Sequence, residues 1–177
     1  ESAPMNYYRA FRDISEWLTP DDFIIGEGAN TMDIGRTQMA NLKPRRRLDA
    51  GSYGTMGIGL GFAVAAAVCN PGQRVVSVQG DSAFGFSGME METICRYKLP
   101  VIVVILNNNG IGGGPAVFPA DGPPPPNAYL PTARYEKIAE AFGAGAFYVD
   151  DPADLRAALD AAAALDGPAI VHVKLNP

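Results

Sequence analysis

Two short polar motifs contain the residues of this chain that are most suited to chemistry. Residues 80–82 read Gly-Asp-Ser and residues 107–110 read Asn-Asn-Asn-Gly, and each motif directly follows an apolar, β-branched run. If both runs are parallel strands, their carboxyl ends meet at one edge of a sheet, so Asp81 and Asn108 come together. A carboxylate, an amide oxygen and a backbone carbonyl are oxygen ligands that suit Mg²⁺. The spacing therefore predicts a divalent-cation site.

The residues after Asp81 predict that the same site also binds an anion. The amides of Ser82 and Ala83 open the next element, where unpaired N–H groups and the helix dipole favour an anion. Together the two motifs predict a cation that holds a diphosphate. A purely structural interpretation also exists, because Gly-Asp-Ser after a strand and Asn-Gly are both common turn sequences.

Composition excludes several classes of protein. The 177 residues are 47% hydrophobic and 19% charged, with a net charge of −5, which suits one apolar core and argues against nucleic-acid binding. No apolar run is long enough to cross a membrane. The single histidine, His172, excludes a multi-histidine metal site, and we expect it to be structural. Two cysteines exclude a disulfide scaffold and favour a reducing, cytoplasmic location.

The elements that position these motifs follow from hydrophobic periodicity. The run 101–106 is apolar without alternation, as in a strand covered on both faces. The segment 57–68 is apolar on nearly every side, which predicts a buried helix. Strands are predicted at 23–25, 74–78, 101–106, 146–149 and 169–175, and helices at 7–18, 57–68, 87–97, 134–142 and 151–165.

Alternation of strands and helices indicates the fold class. We predict an α/β fold with a doubly wound, mainly parallel open sheet and helices on both faces. Ligands in such sheets bind at the carboxyl ends of the strands, beside the switch point. A proline-rich loop at 110–132 is long for a compact domain, which favours a function for it.

At this point the residues carry a family resemblance. Gly80-Asp81-Ser82 followed by Asn107-Asn108 resembles the diphosphate-binding motif of thiamine diphosphate enzymes, which usually has glycine in place of Ser82. Longer blocks, at 27–36, 47–51 and 80–97, are similar to the branch that contains 2-hydroxyacyl-CoA lyase and oxalyl-CoA decarboxylase. The resemblance extends over nearly the whole chain, from Met5 to Pro177.

The resemblance implies roles for individual residues. Mg²⁺ would be held by Asp81, Asn108 and the carbonyl of Gly110. Asn30, Ser82 and Ala83 match positions that touch the diphosphate, and the segment 54–57 matches the one that grips the aminopyrimidine ring, with Met56 as the apolar wedge. The full set of implied cofactor-binding residues is Asn30, Gly54, Thr55, Met56, Gly80, Ser82, Ala83, Asn108, Ile111 and Gly112.

The family's reaction supplies the implied activity. A 2-hydroxyacyl-CoA would be cleaved to formyl-CoA and an aldehyde or ketone, reversibly, with thiamine diphosphate and Mg²⁺ as cofactors. Oxalyl-CoA decarboxylase, or another thiamine-dependent decarboxylase or synthase, is the nearest alternative. A non-catalytic phosphate-binding module is the second. Relatives often carry an aromatic residue after Ile111, whereas this chain has Gly112-Gly113-Gly114-Pro115, which implies a wider acyl pocket.

The resemblance also implies what other chains must supply. The glutamate that activates the cofactor comes from a separate pyrimidine-binding domain on a neighbouring subunit, and no catalytic residue is expected here. Residues 1–177 are thus expected to be the C-terminal diphosphate-binding domain of a larger homodimer or homotetramer, inactive alone. Its partners would be an acyl-CoA substrate and a small carbonyl compound, with no nucleic acid and no membrane.

Overall fold

Strands and helices alternate along the chain, as the sequence predicts. The structure is a computed structural model that describes residues 5–114 and 121–175. The elements in chain order are α1 (Tyr7–Trp17), β1 (Phe23–Glu27), α2 (Ala29–Gln38), β2 (Arg47–Asp49), α3 (Gly59–Cys69), β3 (Val75–Gly80), α4 (Asp81–Ser87), α5 (Glu90–Arg96), β4 (Val101–Asn107), α6 (Lys137–Ala141), β5 (Gly145–Val149), α7 (Leu155–Ala163) and β6 (Ala169–Lys174).

The six strands form one parallel sheet in the order β2-β1-β3-β4-β6-β5. The chain moves from β1 outward to β2 and then returns to build the other half from β3, so the switch point lies between β1 and β3. The loops after these two strands diverge there and leave a crevice at the carboxyl edge. Asp81 directly follows β3, at the position that the sequence analysis requires.

Two apolar clusters, one on each face of the sheet, cover the strands. On one face Phe11 of α1 and Leu159 of α7 pack against Val76 and Val104. On the other, Leu60 of α3 and Met91 of α5 belong to a separate cluster with the alternate strand residues. Every residue of β4 is buried. The doubly wound fold with helices on both faces is therefore confirmed, and the sheet is parallel throughout.

Two elements were missed by the sequence analysis. Helix α2 has three buried residues, Thr31, Met32 and Gly35, and only weak amphipathicity. Strand β2 has three residues at the sheet edge, where Ile25 pairs with Leu48. Neither has the periodicity that identifies an element from sequence, because tertiary pairing rather than local pattern stabilises both.

The predicted helices at 57–68 and 87–97 need correction. Helix α3 is not buried on every side, since Val68 is 60% exposed while Leu60 and Ala63 face the sheet. The predicted helix 87–97 begins too early: residues 90–96 form α5, and Ser87 is instead the last residue of the separate helix α4. Pro115 and the rest of 115–120 in the predicted loop lie outside the described residues. Within the described part of the chain, no helix is long and apolar enough to span a bilayer.

Candidate functional site

Loops from three neighbouring strands enclose a cleft of about 350 Å³ at the carboxyl edge of the sheet. It lies at the switch point, where an open α/β sheet binds its ligands. Every residue that the sequence analysis assigns to the cofactor or metal lines this cleft, except Thr55, which is exposed beside it. The lining residues are Tyr7, Gly28, Ala29, Asn30, Thr31, Gly54, Met56, Gly80, Asp81, Ser82, Ala83, Phe86, Asn108, Gly110, Ile111 and Gly112.

The carboxylate of Asp81 joins the two polar motifs. One oxygen accepts a hydrogen bond from the N–H of Gly110 at 2.9 Å, and the other accepts from the N–H of Ser82 at 2.8 Å. The side chain is only 1% exposed. The bond to Gly110 crosses from the end of β3 to the turn after β4, so the expected meeting of these strand ends occurs. The N–H of Ser82, which the sequence analysis offers to an anion, is already engaged by Asp81.

Burial makes the charge of Asp81 costly. Desolvation raises the pKa of this carboxyl to about 6, although the N–H groups of Ser82 and Gly110 and the ammonium of Lys174 act in the opposite direction. The donors at this site are therefore not sufficient to offset the loss of water around the ionised form. A cation in the cleft would favour the ionised form of Asp81.

Asn108 contributes an amide oxygen to the same region. Its side-chain nitrogen donates to the carbonyl of Gly112 at 2.8 Å, and the side-chain nitrogen of Asn30 donates to that carbonyl at 3.2 Å. Since the nitrogen of Asn108 is committed to Gly112, the amide oxygen is the atom available to a cation. Together with the bond from Gly110 to Asp81, these contacts join the segments that follow β1, β3 and β4 around the cleft.

The donor set fits a hard cation. Asp81 offers a carboxylate, Asn108 an amide oxygen and Gly110 a backbone carbonyl, which are oxygen ligands of the kind that Mg²⁺ takes alongside phosphate and water. Among residues 5–114 and 121–175 there is no cluster of three or more histidine, cysteine, aspartate or glutamate side chains. The residues present therefore suit Mg²⁺ with a phosphate ligand better than a zinc site.

A buried chain of side chains supports the turn that carries Asn108. The side-chain oxygen of Asn107 accepts from the N–H of Asn109 at 2.9 Å, and its nitrogen lies 2.9 Å from Nε2 of His172. Nδ1 of His172 lies 2.7 Å from the carboxylate of Glu136. Burial lowers the pKa of His172, so its neutral form accepts from Asn107 and donates to Glu136. Its structural role agrees with the sequence analysis.

Glu27, the first residue of the block 27–36, belongs to the site although the sequence alone indicates no role for it. It is fully buried at the end of β1, and its two carboxylate oxygens accept from the N–H groups of Gly57 and, at 2.7 Å, of Gly59. Burial raises its pKa, while these backbone donors lower it. The carboxylate therefore holds the segment that places Met56 in the cleft.

Tyr7 was also missed, because only the tertiary structure brings the start of α1 to this edge. It lines the cleft, and burial together with the charge of Asp81 raises its pKa to about 12. The phenol therefore keeps its proton at neutral pH and can donate a hydrogen bond into the cleft. The first-helix periodicity predicts α1 itself but contains no signal for this placement.

Comparison with known proteins gives a consistent picture. The family model described as "Thiamine pyrophosphate enzyme, C-terminal TPP binding domain" matches residues 28–173. The chain is 49% identical to 2-hydroxyacyl-CoA lyase 1 of Mus musculus, covering 100% of this chain and 33% of the relative. It is 44% identical to oxalyl-CoA decarboxylase of Escherichia coli, covering 100% of this chain and 32% of the relative.

Solved structures share the same fold. A Mycobacterium smegmatis protein assigned as a thiamin diphosphate-dependent enzyme superposes with a TM-score of 0.83 at 27% identity, over 99% of this chain and 33% of that one. Benzoylformate decarboxylase from Polynucleobacter necessarius gives the same TM-score at 21% identity, over 99% of this chain and 34% of that one. The chain spans about a third of the length of these relatives.

Replacing Glu27 tests its hold on the segment 54–57. Glu27→Gln keeps the shape but has one acceptor oxygen, so its NH₂ group faces one of the two backbone donors. We expect the free energy of unfolding at pH 8 to fall by about 1–3 kcal/mol, the cost of an unsatisfied buried donor. Urea denaturation measures it, with exposed Glu90→Gln as the control. Equal stability of the two variants would contradict the role of Glu27.

Asp81→Asn tests the cost of the buried charge. Because the folded protein holds the Asp81 proton up to pH about 6 and the unfolded chain only to pH about 3.8, wild-type stability falls as the pH rises through this window. In EDTA, the stability of Asp81→Asn relative to wild type should rise by roughly 2 kcal/mol between pH 4 and pH 7. Asp33→Asn, at an exposed carboxylate, is the control for removal of one negative charge. A pH-independent difference for Asp81→Asn would disprove the assignment.

Proposed function

Because this chain belongs to the family of C-terminal thiamine pyrophosphate-binding domains, we propose that it forms the diphosphate and metal half of the active site of a carbon–carbon lyase. The enzyme cleaves 2-hydroxyacyl-CoA to formyl-CoA and an aldehyde or ketone, and runs the condensation in reverse. The main structural support is Asp81, whose buried carboxylate links Ser82 to Gly110 inside the cleft. The 49% identity to a 2-hydroxyacyl-CoA lyase supports this substrate class, and the 44% identity to an oxalyl-CoA decarboxylase makes decarboxylation the alternative.

The residues of this chain divide the work of binding. Asp81, Asn108 and the carbonyl of Gly110 hold Mg²⁺. When bound, thiamine diphosphate provides an electron sink for cleavage of the carbon–carbon bond, and Mg²⁺ neutralises its diphosphate. The diphosphate is bound by Asn30, Ser82 and Ala83, and the cofactor-binding set also includes Gly80, Asn108, Ile111 and Gly112. Gly54, Thr55 and Met56 contact the aminopyrimidine end. Glu27 orients this segment by accepting a hydrogen bond from the N–H of Gly57.

The rest of the site comes from outside this chain. Among the described residues that line the cleft, Asp81 is the one carboxylate, and it belongs to the metal end. We therefore propose that the activating glutamate lies on the pyrimidine-binding domain of a neighbouring subunit, in a homodimer or homotetramer. Phe86 lines the cleft and is 66% exposed, and nearby Met89 is 70% exposed, which supports an apolar partner surface.

We also propose the place of this chain in the enzyme and its cellular location. Residues 1–177 act as the C-terminal domain of a larger enzyme and have no activity alone. Cys69 and Cys95 are both free thiols, which supports a reducing, cytoplasmic compartment.

Product analysis of the full-length enzyme tests the activity. With thiamine diphosphate and Mg²⁺, a 2-hydroxyacyl-CoA should give formyl-CoA plus an aldehyde or ketone. Asp81→Ala should abolish both turnover and stabilisation by the cofactor pair, because the metal loses its charged ligand. Asp33→Ala, which alters an exposed carboxylate, should behave as wild type. Formyl-CoA plus CO₂ from oxalyl-CoA, without cleavage of 2-hydroxyacyl-CoA, would identify the decarboxylase instead.

Gly112 gives a test of substrate size. A Cβ at this position meets no atom within 4 Å, but the backbone has φ +65°, which strains any side chain. Gly112→Ala therefore serves as the control for strain, and Gly112→Tyr adds bulk in the cleft. We expect the tyrosine variant to favour formaldehyde over acetone in the condensation by roughly tenfold relative to the alanine variant. Equal ratios of kcat/KM for the two carbonyl compounds would show that Gly112 does not set the pocket width.

A further inference from the structure

The segment 127–131 returns from the proline-rich loop and runs antiparallel to the turn after β4. The N–H of Ile111 donates to the carbonyl of Asn127 at 2.9 Å, and the N–H of Tyr129 donates to the carbonyl of Asn109 at 2.8 Å. Gly110 lies opposite Ala128 in this short pairing. We call residues 127–131 the strap.

The strap determines which way Gly110 faces. In an antiparallel pair with bonds on both flanking residues, the middle residue directs its own N–H and C=O to the opposite edge. The N–H of Gly110 is directed there, since it donates to the carboxylate of Asp81 at 2.9 Å. The N–H and C=O of an extended residue share an edge, so the carbonyl of Gly110 also faces the Asp81 side.

Two side-chain contacts fasten the strap, and a third links one of them to the turn after β4. The hydroxyl of Tyr129 donates to Oγ of Ser82 at 3.0 Å. The ammonium of Lys174, at the end of β6, donates to the carbonyl of Pro131 at 2.9 Å and also to the side-chain oxygen of Asn109. The strap is thereby tied to the residue after Asp81 and to the turn that carries Asn108.

We propose that Tyr129 is a positioning residue for the metal end of the site, which holds the carbonyl of Gly110 toward Asp81 by fastening the strap to Ser82. This inference rests on the proposed function, because it concerns the same metal site. It also gives Ser82 a second role: a glycine at this position, as in the wider motif, has no hydroxyl to accept from Tyr129. Ser82 and Tyr129 therefore act as a pair, because the hydrogen bond between them needs both hydroxyls.

Tyr129→Phe in the full-length enzyme tests the proposal. It removes the hydroxyl and keeps the ring. At fixed thiamine diphosphate, we expect the Mg²⁺ concentration for half-maximal binding to rise by about three- to tenfold, the effect of one lost neutral hydrogen bond. Binding is followed by calorimetry and, with Mn²⁺ as a spin probe, by electron paramagnetic resonance. The turnover number at saturating Mg²⁺ should stay unchanged. Tyr97→Phe, at a 64% exposed tyrosine, is the matched control.

A double-mutant cycle distinguishes the effect of the Tyr129–Ser82 hydrogen bond from a general loss of stability. Ser82→Ala should weaken Mg²⁺ binding to a similar extent, and Tyr129→Phe should add nothing in the Ser82→Ala background. The melting temperature of the metal-free protein should change no more than in Tyr97→Phe. Additive effects on Mg²⁺ binding, or an affinity equal to that of Tyr97→Phe, would overturn the proposal. In both cases wild type still binds the cofactor pair, so the proposed function stands. No binding by wild type overturns both.

Discussion

The carboxylate of Asp81 is the interaction on which the site depends. It is buried at the start of α4, accepts from the backbone of Ser82 beside it, and accepts from the backbone of Gly110 across the sheet edge. A shorter or neutral side chain would not satisfy both donors with two oxygens. The two carboxylate oxygens of Asp81 hold the turn after β4 against α4, and they also carry the negative charge at this end of the cleft. Folding and ligand binding therefore depend on the same side chain.

Two buried carboxylates divide the cleft between them. Asp81 organises the end formed by Ser82 and Gly110, and Glu27 organises the end that contains Met56, by accepting from Gly57 and Gly59. Desolvation raises the pKa of both groups. Backbone donors offset part of that cost at each position, and at Asp81 a cation would offset more. The pattern is typical of a site whose charges are fixed before the ligand arrives, which is what binding of a pre-oriented cofactor requires.

Local pattern predicted the parts of the fold that are set by periodicity. The uniformly apolar run of β4 and the helix predicted at 7–18 appear as expected, and Asn6 caps that helix by accepting from the N–H of Arg9 at 2.9 Å. Helix α2 and strand β2 were missed because packing and edge pairing stabilise them rather than a repeating apolar face. Helix α3 was assigned as buried because its alanines and glycines are apolar on every side, and sequence alone does not say which side a neighbour covers.

The sequence by itself determined the α/β class and the family resemblance, because strand periodicity and motif order are local properties, and the resemblance in turn implied most of the residues around the cleft. The tertiary structure alone decided what those residues do to one another. It gave Glu27 its hold on the segment 54–57, brought Tyr7 to the cleft and fastened Tyr129 to Ser82. Each of these contacts joins residues far apart in the chain, and their geometry depends on strand order and loop return. The spacing of residues along the sequence shows neither the strand order nor the path of the returning loop.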